Sequence, residues 1–272
     1  MTEPITDTMT NKMTNKMQSI TRGLVSFAIL IAAWQALVWG TGVEFFILPG
    51  PWLVLHSLIA NLELVGRHAA ITLLEIVLGL LCGCGLGMVS AISLSWFPKV
   101  RRWLLPLLVV AQAIPVFALA PVLVLWLGYG LASKVMMASL IIFFPVTTAF
   151  LDGLRRTEPG WLDLARTMTA GQVGSGRWAA LRHIRIPAAL PALASGLRVA
   201  AAVAPIGAVV GEWVGSSAGL GYLMLHANGR MQIDLLFAAL FVLAAIAVTI
   251  FFSIDWLLRR LLPWQPDSLP NE

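Results

Sequence analysis

The sequence predicts an all-α, polytopic membrane helical bundle of about six transmembrane helices. Hydrophobic residues make up 59% of the 272 positions and charged residues only 11%, whereas soluble domains carry about a quarter charged residues. Mean hydropathy is +0.87. Apolar stretches of roughly 20 residues recur along the chain, and each is long enough to cross about 30 Å of hydrocarbon. They must be helical, because lipid offers no partner to open backbone groups.

Residues 1–22 are polar and contain a short duplication, MTNK at Met9–Lys12 and again at Met13–Lys16. They lack the apolar core and small-residue cleavage site of a secretory signal, so they read as a cytoplasmic tail, with Met17 an alternative start. The membrane domain then runs over 23–262. Its spans are expected at about Leu24 to Trp39, Ala70 to Trp96, Trp103 to Leu127, Val135 to Leu151, Leu190 to Val214 and Leu235 to Leu258. Pro106, Pro115 and Pro121 all fall in the third, which is expected to be broken or bent where proline removes hydrogen bonds that neighbours must replace. Residues 263–272 form a second cytoplasmic tail.

Basic residues set the orientation. With the N-terminus inside, fourteen lysines and arginines fall on the cytoplasmic side and only Arg67, Lys134 and Arg230 outside, a strong positive-inside asymmetry. A bacterial inner membrane location with both termini cytoplasmic follows. Topology also explains the net charge of +5 without nucleic acid, since the arginines are spread over membrane-flanking loops with no aromatic-lined basic face. Cys82 and Cys84 lie inside the second span and read as small buried residues. The four histidines are scattered without paired ligand spacing, so no metal site is expected.

Three spans carry an interior ionisable residue, Glu75, Arg198 and Asp255, and Glu212 lies near the end of the fifth. Such charges are costly in lipid and are functional hypotheses by default. Asp255 and Arg259 are four residues apart and suit a local pair. For Glu75 and Arg198 an interhelical pair and a place on a transport pathway are equally open. No Ser/His/Asp, metal or paired-carboxylate set is visible, which argues against an enzyme. Gly79, Gly83 and Gly87 recur every fourth residue, as do Gly196, Ala200, Ala204 and Ala208. Each row makes a flat ridge for a close helix neighbour, and packing within the chain is favoured over a dimer contact.

One segment cannot lie in lipid. Between 152 and 187 the chain reads DGLRRTEPGWLDLARTMTAGQVGSGRWAALRHIRIP, with six arginines. Trp161, Leu164, Ala165 and Met168 recur at helical spacing; glycines at 171, 174 and 176 break the pattern; Trp178, Leu181, Ile184 and Ile186 then lead to Pro187. A helix, a turn and a second helix lying against the membrane are expected. Two uses fit: a docking surface for a cytosolic partner, or an amphipathic segment that holds the loop on the bilayer.

WLDLARTM followed by GSGRWAALRHIRIPAALPALASGLRVA resembles the EAA loop of ABC importer permeases, in which an acidic residue, small residues, a glycine and a closing I-x-L-P form a coupling helix. In that resemblance Asp163 takes the Glu position, Leu164 and Ala165 the two alanines, Gly174 the glycine, and Ile184, Ile186 and Pro187 the closing motif. Asp163 and Gly174 stand eleven apart, farther than in the family, so about five residues near Thr169 to Val173 look inserted. The alternative is that Gly171 caps the first helix and Asp163 pairs differently. PVFALAPVLVLWLGYG at Pro115 to Gly130, FFILPGPWLVLHSL at Phe45 to Leu58 and GEWVGSSAGLGYLM at Gly211 to Met224 are similar to segments of the branch serving nitrate, sulfonate, taurine, bicarbonate and pyrimidine vitamin precursors.

The resemblance implies a type I, MetI-like permease that works as a homodimer. Its implied partners are two copies of an ATP-binding subunit and a periplasmic substrate-binding protein, with no cofactor of its own. The chain itself has no G-x-x-x-x-G-K-[ST] phosphate loop, and none of its four lysines follows a glycine, so ATP must be hydrolysed elsewhere. Coupling to the ATPase is expected through Asp163, Leu164, Ala165, Arg166, Gly174, Arg182, Ile184, Ile186 and Pro187. The substrate pathway is expected along the third and fifth spans at Gln112, Phe117, Arg198, Pro205 and Glu212. The solute is a small polar one: a sulfonate, nitrate, taurine or a hydroxymethylpyrimidine-like thiamine precursor. An ion-coupled secondary transporter and a noncatalytic membrane scaffold are the alternatives, though no duplication between halves supports the first and the second leaves the 152–187 segment without a purpose.

Overall fold

The computed structural model describes residues 21, 22, 25, 26, 28–168 and 176–264. Residues 1–20 and 265–272 of the two predicted tails, and the stretch 169–175 with Gly174 and the inserted residues, lie outside the described residues. Among the described residues no strand occurs. The helices are α1 (Ala28–Thr41), α2 (Pro51–Ala60), α3 (Leu62–Trp96), α4 (Pro98–Ala113), α5 (Val116–Leu127), α6 (Leu131–Arg155), α7 (Pro159–Met168), α8 (Gly176–Ala180), α9 (Ile186–Gly215), α10 (Leu220–Gly229) and α11 (Ile233–Leu261). A π-helical turn, Leu181–Arg185, joins α8 to α9.

Among the described residues four helical stretches are long and apolar enough to cross a membrane: Leu62–Trp96, Leu131–Arg155, Trp178–Gly215 and Ile233–Leu261. The proline-rich third segment is interrupted, as its sequence implies. α4 and α5 meet at 99°, because Pro115 forces Ile114 out of the helical region to φ −75° and ψ 122°. The first apolar stretch is helical over Ala28–Thr41, below full crossing length.

The chain divides into two compact units. The smaller holds residues up to Leu62 together with Ala227–Ala238. In it Trp34 of α1 stacks on Phe237, with ring centroids 6.0 Å apart, and Gly50 caps α2, whose first turn carries Pro51 where a missing N–H costs nothing.

The larger unit, Glu63–His226 with Ala239–Glu272, is organised around α6. Its core joins Ile76 of α3, Ala138, Ile142, Val146 and Phe150 of α6, and Ala200, Ala204 and Ala208 of α9. Both small-residue ridges face α6, so the packing is within the chain. A Cβ on Gly79 would stand 2.5 Å from Ala138 Cβ, and one on Gly207 would stand 2.7 Å from Ala138 Cα. Ala138 is thus clasped from both sides at near-backbone contact, and Ser139 Oγ donates to Gly79 O at 3.4 Å. Without a hydrophobic drive between helices in lipid, such close van der Waals contact is what holds them together.

Gly79→Val is therefore expected to cost about 1–3 kcal/mol or more by overpacking. Gly85→Ala, on the same helix with nothing within 4 Å of the added Cβ, is expected to be neutral or slightly stabilising. Unfolding midpoints of the two purified variants in detergent would check the contrast.

Candidate functional site

The 152–187 segment forms the first part of the site. α7 covers the predicted first helix and carries Asp163, which is exposed, together with Leu164, Ala165 and Arg166. The second half differs from expectation. Instead of a separate helix on the membrane, α8, the π turn and α9 run continuously from Trp178 to Gly215. Pro187 explains the π turn: it has no N–H for the His183 carbonyl and its ring would collide with that carbonyl, so the turn widens and Ile186 N–H bonds to Leu181 O. Arg182 is exposed there, and Ile184 and Ile186 are half-buried. A cavity of about 370 Å³ is lined by Trp161, His183, Ile184, Pro187, Ala188 and Trp264. Trp161 and Trp178 are both about half exposed, and Trp178 meets Trp96 edge to face at 5.9 Å.

The intramembrane charges pair in a way the sequence left open. Arg198 does not meet Glu75. Its Nε donates to Asp255 Oδ1 at 2.6 Å, and Arg259 Nε donates to Asp255 Oδ2 at 2.8 Å. The expected Asp255–Arg259 pair is present and Arg198 completes a triad between α9 and α11. Glu75 takes a partner assigned to an outer loop by charge counting: Lys134 Nζ, on the first turn of α6, donates to its Oε1 at 2.7 Å. Both side chains are buried, Glu75 completely.

Glu212 belongs to the same polar cluster. It is 1% exposed, and within the chain its carboxylate accepts from Thr72 Oγ1 at 2.6 Å, from Gly221 N–H at 2.5 Å and from Tyr222 N–H at 3.3 Å. Thr72 Oγ1 also accepts from Leu220 N–H at 2.7 Å, and His68 Nδ1 accepts from Gly219 N–H at 2.9 Å. The first amides of α10 are thus satisfied by side chains of α3 and α9, where a helix would otherwise leave them without partners. Glycine is required in this turn: Gly219 has φ +119°, and a Cβ on Gly221 would stand 2.8 Å from Glu212 Oε2. His68 stacks on Tyr222, and Tyr222 lies against His226.

The predicted pathway residues do not gather in one place. Gln112 on α4 and Phe117 on α5 are exposed, Phe117 by 66%. Pro205 is buried inside α9, Arg198 sits in its ion triad, and Glu212 is enclosed by its hydrogen bonds. Sequence reasoning missed Lys134, Thr72 and His68. The signal for Lys134 was a buried acid, Glu75, for which the sequence offered only Arg198, a base that pairs elsewhere.

Lys134→Met would leave Glu75 buried without its counter-charge, at an expected cost of about 3–5 kcal/mol. Combining it with Glu75→Met, which removes both charges, is expected to recover most of that loss. Denaturation of the single and double variants in detergent would measure it.

Comparison with known proteins agrees with this architecture. The family model described as binding-protein-dependent transport system inner membrane component matches residues 83–265. A probable ABC transporter permease protein of Haemophilus influenzae is 53% identical over 241 residues, covering 89% of this chain and 96% of its own length. The formylaminopyrimidine transport permease protein ThiX of Halalkalibacterium halodurans is 35% identical, covering 88% and 94%. The riboflavin transport system permease protein RibX of Chloroflexus aurantiacus is 35% identical, covering 89% of each. The chain belongs to the binding-protein-dependent transport system inner membrane component family, and its multi-pass helical bundle is the type I, MetI-like permease fold of ABC importers.

Proposed function

We propose that the chain is the membrane-spanning half of an importer driven by a separate ATPase, and that α7, α8 and the π turn are the handle the ATPase grips. The observation that carries this reading is the unbroken run of helix from Trp178 to Gly215. A displacement of the docking segment is passed directly into a membrane-spanning helix instead of being absorbed in a loop. The exposed Trp161 and Trp178, the cavity beside His183 and Pro187, and the exposed Arg182 give the handle both apolar and basic contacts. Asp163, Leu164, Ala165, Arg166, Gly174, Ile184 and Ile186 complete it by the resemblance.

Two copies of the chain would enclose the pathway, with two ATPase copies below and a binding protein delivering solute from the far side. Closure of the ATPases draws the two handles together. α9 turns with its handle, and the bent α4–α5 span, which exposes Gln112 and Phe117, changes the side to which the axis opens. The N-terminus and the handle face the cytoplasm in this reading, as the basic residues require. The substrate is a small nitrogen heterocycle of the thiamine-precursor type, supported by the similarity to a formylaminopyrimidine permease.

The test is copurification. A P-loop ATPase is expected to come down with the tagged chain from membranes, and Gly174→Asp is expected to reduce its recovery about tenfold or more by adding charge and bulk to the docking face. Equal recovery with the variant would remove the handle from the contact. Solute uptake that survives ATP depletion while ion gradients persist would overturn the ATP-driven reading, as would labelling of the handle from the periplasmic side.

A further inference from the structure

The transport reading leaves one device without a use, the polar cluster that fastens α10. Four consecutive amides, from Gly219 to Tyr222, end on side chains from two other helices: His68 and Thr72 of α3 and Glu212 of α9. A ten-residue helix has little stability of its own, so its start depends on these distant groups. Apolar packing would fix a short helix without burying charge. Instead the chain encloses two carboxylates, Glu75 and Glu212, with one ammonium, Lys134. Ions within a membrane protein are expensive and are retained where they serve a movement or a pathway.

The cluster is also tied to the helix that packs at the centre of the larger unit. Lys134 Nζ bonds Glu75 and reaches Ala218 O at 3.5 Å, so one side chain of α6 holds both α3 and the turn that leads into α10. Ser216 Oγ closes that turn on Ala218 O and accepts Ala218 N–H at 3.0 Å. Gly211 lets the α9 backbone lie close to Lys134, where an added Cβ would stand 3.1 Å from Lys134 Cα. Glu75 Oε2 is buried with no hydrogen-bond partner among the described residues.

We propose that Glu212 is the positioning residue of a gate: its carboxylate latches the start of α10 against α3 and α9 while the ATPases are apart, and releases it when they close. This rests on the transport reading. In the latched state the 219–222 turn is closed and the outer end of the pathway is sealed. When the latch opens, α10 is freed at its first turn while the rest of the bundle keeps its small-residue contacts.

Hydrogen exchange of the permease–ATPase complex in lipid nanodiscs tests it. In the nucleotide-free complex the amides of 219–222 are expected to be protected, and trapping with ATP and vanadate is expected to speed their exchange about tenfold, the scale of losing a helix cap. Glu212→Gln is expected to exchange quickly in both states and to raise ATP hydrolysis without solute about threefold, since the gate no longer restrains the cycle. Glu212→Asp is expected to restore part of both. If Glu212→Gln does not reach the membrane, Thr72→Val reads the same amides and the same hydrolysis. Unchanged protection on trapping overturns the gate, as does faster exchange in the variant with unaltered hydrolysis, which leaves only a structural cap. A complex that forms and hydrolyses ATP without these responses sinks the latch alone, whereas a chain that recruits no ATPase sinks the transport reading and the latch with it.

Discussion

The near-backbone contact of α6 with α3 on one side and α9 on the other sets the rest of the larger unit. Gly79 and Gly207 both meet Ala138, and neither tolerates an added carbon. Dispersion between closely approached helices replaces the water-driven force that assembles soluble cores, and a gap of about 0.5–1 Å already forfeits a quarter to a half of it. This contact brings Lys134 to Glu75 and, through α9, brings Glu212 to Thr72. The polar cluster is therefore a product of the steric fit and not an independent source of cohesion. Buried ion pairs cost desolvation that their attraction only partly returns.

At the other end of α9 the deciding residue is Pro187. An α-helix interrupted by proline commonly kinks or stops. Here the widened π turn over Leu181–Arg185 carries the helix through, with Ile186 N–H bonded to Leu181 O. The same residue that ends the resemblance to the coupling motif thus also keeps α8 and α9 on one continuous backbone. Three basic side chains, Arg182, His183 and Arg185, lie in that turn.

Much of the fold was legible because lipid simplifies the code. Long apolar runs can only be helices, and Pro115 marked the break between α4 and α5 through its effect on the residue before it. The spacing of Gly79, Gly83 and Gly87 gave a packing face, since periodicity identifies a side of a helix without naming its partner. The ion pairs were legible only in part. Asp255 and Arg259 share one helix, so spacing alone brings them together, whereas Arg198 reaches Asp255 across 57 positions. Lys134 was placed outside because charge counting weighs a basic residue near a span end as loop, and a long side chain on the first helical turn can fold inward instead. The surroundings of Glu212 were not legible, because the sequence shows its acid and hides the four backbone amides gathered around the turn.

The separations along the chain order the cluster in time as the ribosome releases it. Glu75 and Lys134 are 59 positions apart and both emerge before α9, whereas Thr72 waits 140 positions for Glu212. The counter-ion of the α3 acid is thus already synthesised before α9. α9 then arrives as a wedge against a pair already neutralised, and its own carboxylate finds donors in the short helix synthesised immediately after it. The cluster is complete only once α10, the last of its segments to be synthesised, has supplied its amides to Glu212.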